Sequence, residues 1–174
     1  MPLTTYTAGE VLTAASLNAN FSFAAGGNPV AIFNDTQASG VDGGTATSGA
    51  WRTRVLNTTI VNTITSCTLT SNVISLPAGT YLVQASAPAF GCDQHQMRIA
   101  NTTDSIYYYG GSSFDADLTT QSDSTIMTYF TIAGTKSIEV QHQVAGTRAS
   151  TGFGKAQSFG NNNTYAQIMI TKVA

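Results

Sequence analysis

The sequence predicts an all-β protein, a two-sheet sandwich preceded by one short N-terminal helix. Three observations carry that prediction. The hydrophobic period changes from helical to alternating at 24–29, about ten segments rich in Val, Ile, Thr, Tyr and Phe follow, and turn residues stand between them. No helical interval separates these segments, so their apolar faces must be buried by sheet on sheet.

The helix comes first. Thr7-Ala8-Gly9-Glu10 has capping-box spacing, in which the Thr7 hydroxyl accepts from the N–H of residue 10 and Glu10 reaches back to the N–H of Thr7. Ala8, Val11, Leu12, Ala15 and Ala19 then recur at three- and four-residue steps, which predicts a helix over 8–20 with small apolar groups on one face. Three turns are too few to be stable alone in water, so that face needs a partner. Ala24-Ala25-Gly26-Gly27-Asn28-Pro29 is a break in composition, and it divides the chain into an arm, 1–27, and a head, 28–174.

In the head, strands are predicted at 30–36, 50–58, 64–69, 73–76, 80–88, 94–101, 105–110, 124–133, 137–144 and 164–173. The alternation is plainest where Ile138, Val140, His142 and Val144 oppose Glu139, Gln141 and Gln143. Pro77-Ala78-Gly79 and Ala133-Gly134-Thr135-Lys136 are tight connections, and 40–49 and 145–163 are long loops rich in Gly and Ser.

Composition limits function. Charged residues make up 9% of the chain against about 25% in an ordinary soluble domain, while 42% hydrophobic content argues for a packed fold. Seven basic residues scattered from Arg52 to Lys172 form no patch for phosphates, so nucleic acid is not an expected partner. No run is apolar enough to span a membrane, and the first residues lack the pattern of a signal peptide, which predicts a protein made in the cytoplasm without membrane insertion.

No residue set predicts catalysis, a metal or a cofactor. Asp115, Asp117 and Asp123 lie in a turn-rich stretch where Asp serves backbone hydrogen bonds, and they lack the alternating ligand pattern of a calcium loop. Asp93 and His95 beside Cys92 show no metal spacing or nucleophile elbow, so a solvated or hydrogen-bonded His95 is expected. Cys67 and Cys92 read as two buried thiols, and the alternative is a late disulfide between neighbouring segments. Tyr107-Tyr108-Tyr109 should alternate, 107 and 109 on one face and 108 on the other, so that some fill the core while an outward ring is placed to stack on a sugar. Sequons at Asn34, Asn57 and Asn101 are expected by chance in so Thr-rich a chain.

Two stretches resemble known families. TYTAGEVLTAASLNANF, 5–21, resembles the opening segment of many phage tail-fibre and related virion proteins. Residues 35–173 resemble the C1q and tumour-necrosis-factor type of jelly roll found in phage appendages, through WRTRVLNT at 51–58, ISLPAGTYLVQASAPAF at 74–90, HQMRIANTTDS at 95–105, FTIAGTKSIEVQHQVA at 130–145, TGFGKAQSFG at 151–160 and YAQIMITKV at 165–173. The resemblance implies a homotrimeric jelly roll on a virion, a tail fibre, collar or head spike, joined to other virion proteins by its arm. No shaft separates arm and head, unlike a long fibre. The capping box and apolar face, not the resemblance, give the arm residues as Thr7, Glu10, Val11, Leu12 and Ala15, and alternation and loop composition give the candidate contacts with a host surface glycan as Tyr107, Tyr108 and Tyr109 and the loop carrying Arg148 and Phe153. The alternatives are a carbohydrate-binding module and a polysaccharide depolymerase.

Overall fold

The computed structural model describes residues 5–10, 13–15, 17, 18, 26–114 and 119–174. Its strands are β1 (Val30–Gln37), β2 (Arg52–Thr53), β3 (Thr58–Asn62), β4 (Thr68–Thr70), β5 (Val73–Leu76), β6 (Gly79–Phe90), β7 (Gln94–Asn101), β8 (Ile106–Phe114), β9 (Gln121–Ile132), β10 (Lys136–Val144) and β11 (Asn163–Lys172). One sheet runs β3-β1-β11-β6-β9, the other β4-β5-β10-β7-β8, and β2 adds to β10. Every pairing is antiparallel. The core lies where the two inner faces meet: Phe33, Tyr81, Val83, Phe130, Ile168 and Ile170 from the first sheet against Ile74, Leu76, Met97, Ile99, Ile138 and Val140 from the second.

Two predicted strands were drawn wrongly. The segment 50–58 is not one strand but a crossing between sheets: the Arg54 N–H donates to the Val140 carbonyl in one sheet, and three residues later the Asn57 N–H donates to the Asn34 carbonyl in the other. The segment 64–69 is largely turn, because the Asn62 side chain captures the backbone on both sides, accepting from the Ile64 N–H at 3.2 Å and donating to the Cys67 carbonyl at 2.8 Å.

β8 extends past the predicted 105–110 by way of a bulge. Gln96 faces Ser112 and Arg98 faces Tyr109, so Gly110 and Gly111 together oppose Met97. Ser124, reaching across from β9, closes the gap: its hydroxyl accepts from the Met97 N–H at 2.9 Å and donates to the Gly111 carbonyl. A Cβ on Gly110 would sit 2.7 Å from the Thr125 carbonyl oxygen, which is why the position takes glycine. The bulge resets the alternation, so Tyr107, Tyr109, Ser112 and Phe114 all point away from the core.

The expected nearness of Cys67 and Cys92 does not hold. Both are buried thiols outside any disulfide, and Cys92 Sγ donates to the Phe90 and Gly152 carbonyls at 3.3 and 3.4 Å. Cys67 belongs to the main core beside Tyr81 near the start of β6, whereas Cys92 follows the other end of that strand. From Tyr81 to Phe90 the strand is about 30 Å long at its rise of roughly 3.3 Å per residue, far beyond disulfide reach. Dithiothreitol should therefore leave the melting temperature unchanged, and thiol titration of the unfolded chain should recover both cysteines; a lower melting temperature under reductant would contradict this separation.

Candidate functional site

Sequence alternation puts His142 in phase with Ile138, Val140 and Val144, so it enters the sandwich from β10, and β7 sends in His95 beside it. Both rings are buried, as is Arg54 from the crossing segment. Arg54 Nη1 donates to the Pro88 carbonyl at 2.8 Å and lies 3.1 Å from His142 Nδ1, while Nη2 donates to the Phe153 carbonyl at 2.8 Å. His142 Nε2 is 2.9 Å from His95 Nδ1, and His95 Nε2 is 2.9 Å from the Ser122 hydroxyl.

Guanidinium only donates, and that fixes the direction of the chain. His142 accepts at Nδ1, so its proton is on Nε2 and is given to His95 Nδ1. His95 then carries its proton on Nε2 and gives it to Ser122. Phe153 covers the group, its ring 4.2 Å from the Arg54 guanidinium carbon and stacked on His142. Burial lowers Arg54 to about 10, still protonated at neutral pH, and the buried Asp35 carboxyl, itself raised by burial, opposes that shift. The arrangement joins four strands, a crossing segment and a loop through hydrogen bonds without exposing a reactive group.

The outer face of the β4-β5-β10-β7-β8 sheet is different in character. Its register places Gln141, Arg98 and Tyr109 on one rung, and Gln143, Gln96 and Ser112 on the next. Trp51 lies over this face, its ring 4.3 Å from the Arg98 guanidinium carbon and edge-on to Tyr109 at 5.7 Å between centroids. Tyr107 holds the same guanidinium at 3.8 Å. A cleft of about 240 Å³ opens beside Trp51, walled by Gln94, Gln96, Ser112 and Gln143 over buried His95.

On the opposite sheet the outer face is apolar at one end. One rung reads Val61, Ile32, Met169, Gln84, Met127, and its neighbour Val30, Thr171, Leu82, Tyr129. Met127 is 71% exposed and Tyr129 62% exposed. Towards the other end the rung Asn34, Gln167, Ser86, Thr125 is polar.

No protein-family model matches the chain, and no curated protein matches its sequence. Solved structures do match. The globular domain of zebrafish complement 1qA protein aligns with TM-score 0.57 at 9% identity, over 84% of this chain and 98% of that one. Eiger TNF from S. frugiperda gives TM-score 0.51 at 16% identity over 84% and 94%, and the PRD1 vertex protein P5 gives 0.54 at 13% over 84% and 98%. The head is a C1q/TNF-type jelly roll.

Within this jelly roll the long loops gather at the end away from Pro29, zipped together by main-chain bonds from Gly43 to Gly154, Gly44 to Ser150 and Ala46 to Arg148. Tyr107 and Tyr109 point outward, and Tyr108 points in, its ring stacked on Phe130 at 5.0 Å. Arg148 and Phe153 do not join them: Arg148 lies over Phe90, and Phe153 is turned into the buried Arg54 group, which leaves little of it for an outside contact. Sequence reasoning passed over Trp51, Arg54 and the pairing of the two histidines. The in-phase position of His142 was the available signal.

In the arm, the Thr7 N–H donates to Glu10 at 2.8 Å, the reach-back half of the capping box, but the Glu10 N–H takes the Thr7 carbonyl rather than its hydroxyl. Residues 8 and 9 form a turn, and helical backbone is seen at Ala14, Ala15, Leu17 and Asn18, later than the expected start at Ala8. Val11 and Leu12 lie outside the described residues, as do Asp115 and Asp117. Asp123 is exposed on β9, and among the described residues no group of three or more His, Cys, Asp and Glu comes together to hold a metal. Likewise among them, no helix is long and apolar enough to cross a membrane. Asn57 and Asn101 spend their amides on other groups of the chain, the Thr36 backbone and the Asp104 carboxylate.

Replacing Arg54 with Met strips the Pro88 and Phe153 carbonyls of their donor, and should cost about 3–5 kcal/mol in denaturant unfolding, the penalty for breaking a buried polar set. A cost below about 1 kcal/mol would refute the role given to Arg54. A second expectation concerns pH. Burial, then Arg54 and His95, lower His142 to about 2, whereas the unfolded residue protonates near 6.5. Between those values the unfolded chain binds the extra proton, so stability should fall as pH drops below about 6.5, by up to roughly 1.4 kcal/mol per pH unit. Asp35 has the opposite sign, its raised carboxyl favouring the folded state as pH falls through its folded value. Comparison with His142→Asn isolates the histidine: the variant should be less stable at neutral pH and show a flatter profile, and equal slopes would contradict the assignment.

Proposed function

We propose that the chain is a structural component of a bacteriophage virion, a homotrimeric tail fibre, collar or head spike whose arm docks on the particle and whose loop end faces the host. One observation carries this reading, the apolar half of the outer face on the β3-β1-β11-β6-β9 sheet. Ile32, Leu82, Met127, Tyr129 and Met169 form a continuous patch beside a shallow depression of about 450 Å³, and a lone soluble domain seldom leaves such a patch uncovered. Met and Tyr are also the side chains that interfaces favour. Second and third copies are the occupants that close the assembly, since a threefold ring covers the patch on every copy and leaves no open edge for further growth.

Polarity along the molecule supports the rest. The patch lies at the end where Pro29 enters the sheet, so three arms would emerge together, while the zipped loops stand at the far end. The likeness to a PRD1 phage vertex protein is compatible with a place on the virion, and the opening segment resembles that of phage appendages. In this reading the head binds and builds and does not catalyse.

Light scattering of the isolated chain should return three times 18.1 kDa. Met127→Lys with Tyr129→Lys should give a monomer, because like charges would be buried around the axis. Removing residues 1–27 should leave a trimer that no longer joins particles. A monomeric native chain would overturn the trimer, and a truncated chain that still joins particles would overturn the role of the arm.

A further inference from the structure

The cleft beside Trp51 has a chemistry that neither the core nor the trimer uses. We propose that it is a carbohydrate-binding site, taking one neutral hexopyranose ring of a surface polysaccharide, with Trp51 as the stacking platform and Gln94, Gln96, Gln143 and Ser112 as the hydroxyl readers. This deepens the host-facing part of the reading above, naming the ligand class and the residues.

Three features point to a sugar. A pyranose has one or two faces of C–H groups ringed by hydroxyls that each donate and accept. The matching surface is an aromatic plane edged by groups that also do both. A glutamine amide offers two donors and an acceptor, and a serine hydroxyl offers one donor and two acceptor lone pairs. Here Gln143, Gln96 and Ser112 occupy one rung of adjacent strands and Gln94 opens β7 two residues before Gln96; Gln96 Nε2 donates to the Gly110 carbonyl at 2.7 Å, which fixes that amide and leaves its Oε1 and second N–H on the cleft wall. The wall is built on strands, not on loops, and is therefore held in place before any ligand arrives.

Trp51 is held too. Arg98 stacks on its ring at 4.3 Å and Tyr109 meets its edge, so little freedom is left to lose on binding. The volume, about 240 Å³, lies just below the range of pockets for drug-sized ligands and suits a single ring.

The charge on the next rungs favours a neutral sugar. Arg98 and Glu139 are bridged by Gln141: Arg98 Nε and Nη2 donate to its Oε1 at 2.8 and 2.6 Å, and its Nε2 donates to Glu139 at 2.9 Å. That chain occupies the neighbouring rungs and leaves the amide rung without a formal charge. The site lies on the sheet opposite the apolar patch, so trimer formation leaves it open, and three copies on one particle turn weak single contacts into firm attachment.

Trp51 is the sole tryptophan of the chain, so its emission reports on this cleft alone. The full-length protein is titrated with methyl glycosides of glucose, galactose, mannose and rhamnose, read by Trp51 emission and by saturation-transfer NMR. At least one glycoside should give a saturable, millimolar response. Gln94→Ala with Gln143→Ala should weaken it at least about tenfold while leaving the melting temperature near native, since a lost hydrogen bond to a bound hydroxyl is worth about that much. No saturable response to any of the four, or a response that the double variant leaves unchanged, would overturn the site. Neither result touches the particle role, which would fall instead if purified virions lacked the chain while the sugar response persisted.

Discussion

The fold hinges on the burial of one guanidinium. Arg54 stands in the middle of a segment that passes from one sheet to the other, and it brings a charge into the interior, where it donates to carbonyls from β6 and from the far loop. Taking an ion out of water is costly, and the cost is offset only if its hydrogen bonds are made. Every contact it makes is therefore also a constraint on where the crossing segment, β10, β6 and the loop around Phe153 lie relative to one another. An apolar residue there would pack equally well in several positions, and Arg54 packs in one. The two histidines extend the same constraint to β7 and β9.

Much of the architecture was legible because it follows from period and punctuation. β5 and β7 begin and end where alternation and turn residues place them, and β1, β6, β9, β10 and β11 depart by no more than three residues at either end. Physical competition explains the rest. At 50–58 the residues favour a strand, but a chain that changes sheets cannot keep a ladder, and period alone carries no information about which sheet supplies the partner. At 64–67 the side chain of Asn62 offers the backbone a turn that outcompetes extension. The bulge at Gly110 and Gly111 depends on a serine from the other sheet, a contact no local window contains.

The candidate site was legible only in part. The triple tyrosine announces an outward aromatic pair by simple alternation. Trp51 precedes the shortest strand, and only the pairing of that strand with β10 brings it over the glutamine rung. The three glutamines and the serine come from segments that read separately as ordinary solvated strand residues, and they become one wall through register. Low charge content, visible at once in the composition, acquires a local meaning here: Gln141 bridges Arg98 and Glu139, and the cleft wall beside them is made of amides and rings.

The antiparallel arrangement around β1 also bears on mechanics. β1 starts at the arm, runs toward the loop end, and is bonded on both flanks, to β11 and to β3. Ladder hydrogen bonds lie across the strand direction. Tension applied between the arm and a surface held by the head is thus directed along β1 and loads both ladders in shear, all bonds together, instead of peeling them one at a time. Were the chain held by the segment before Pro29, as proposed, such a pull would meet the combined strength of two ladders.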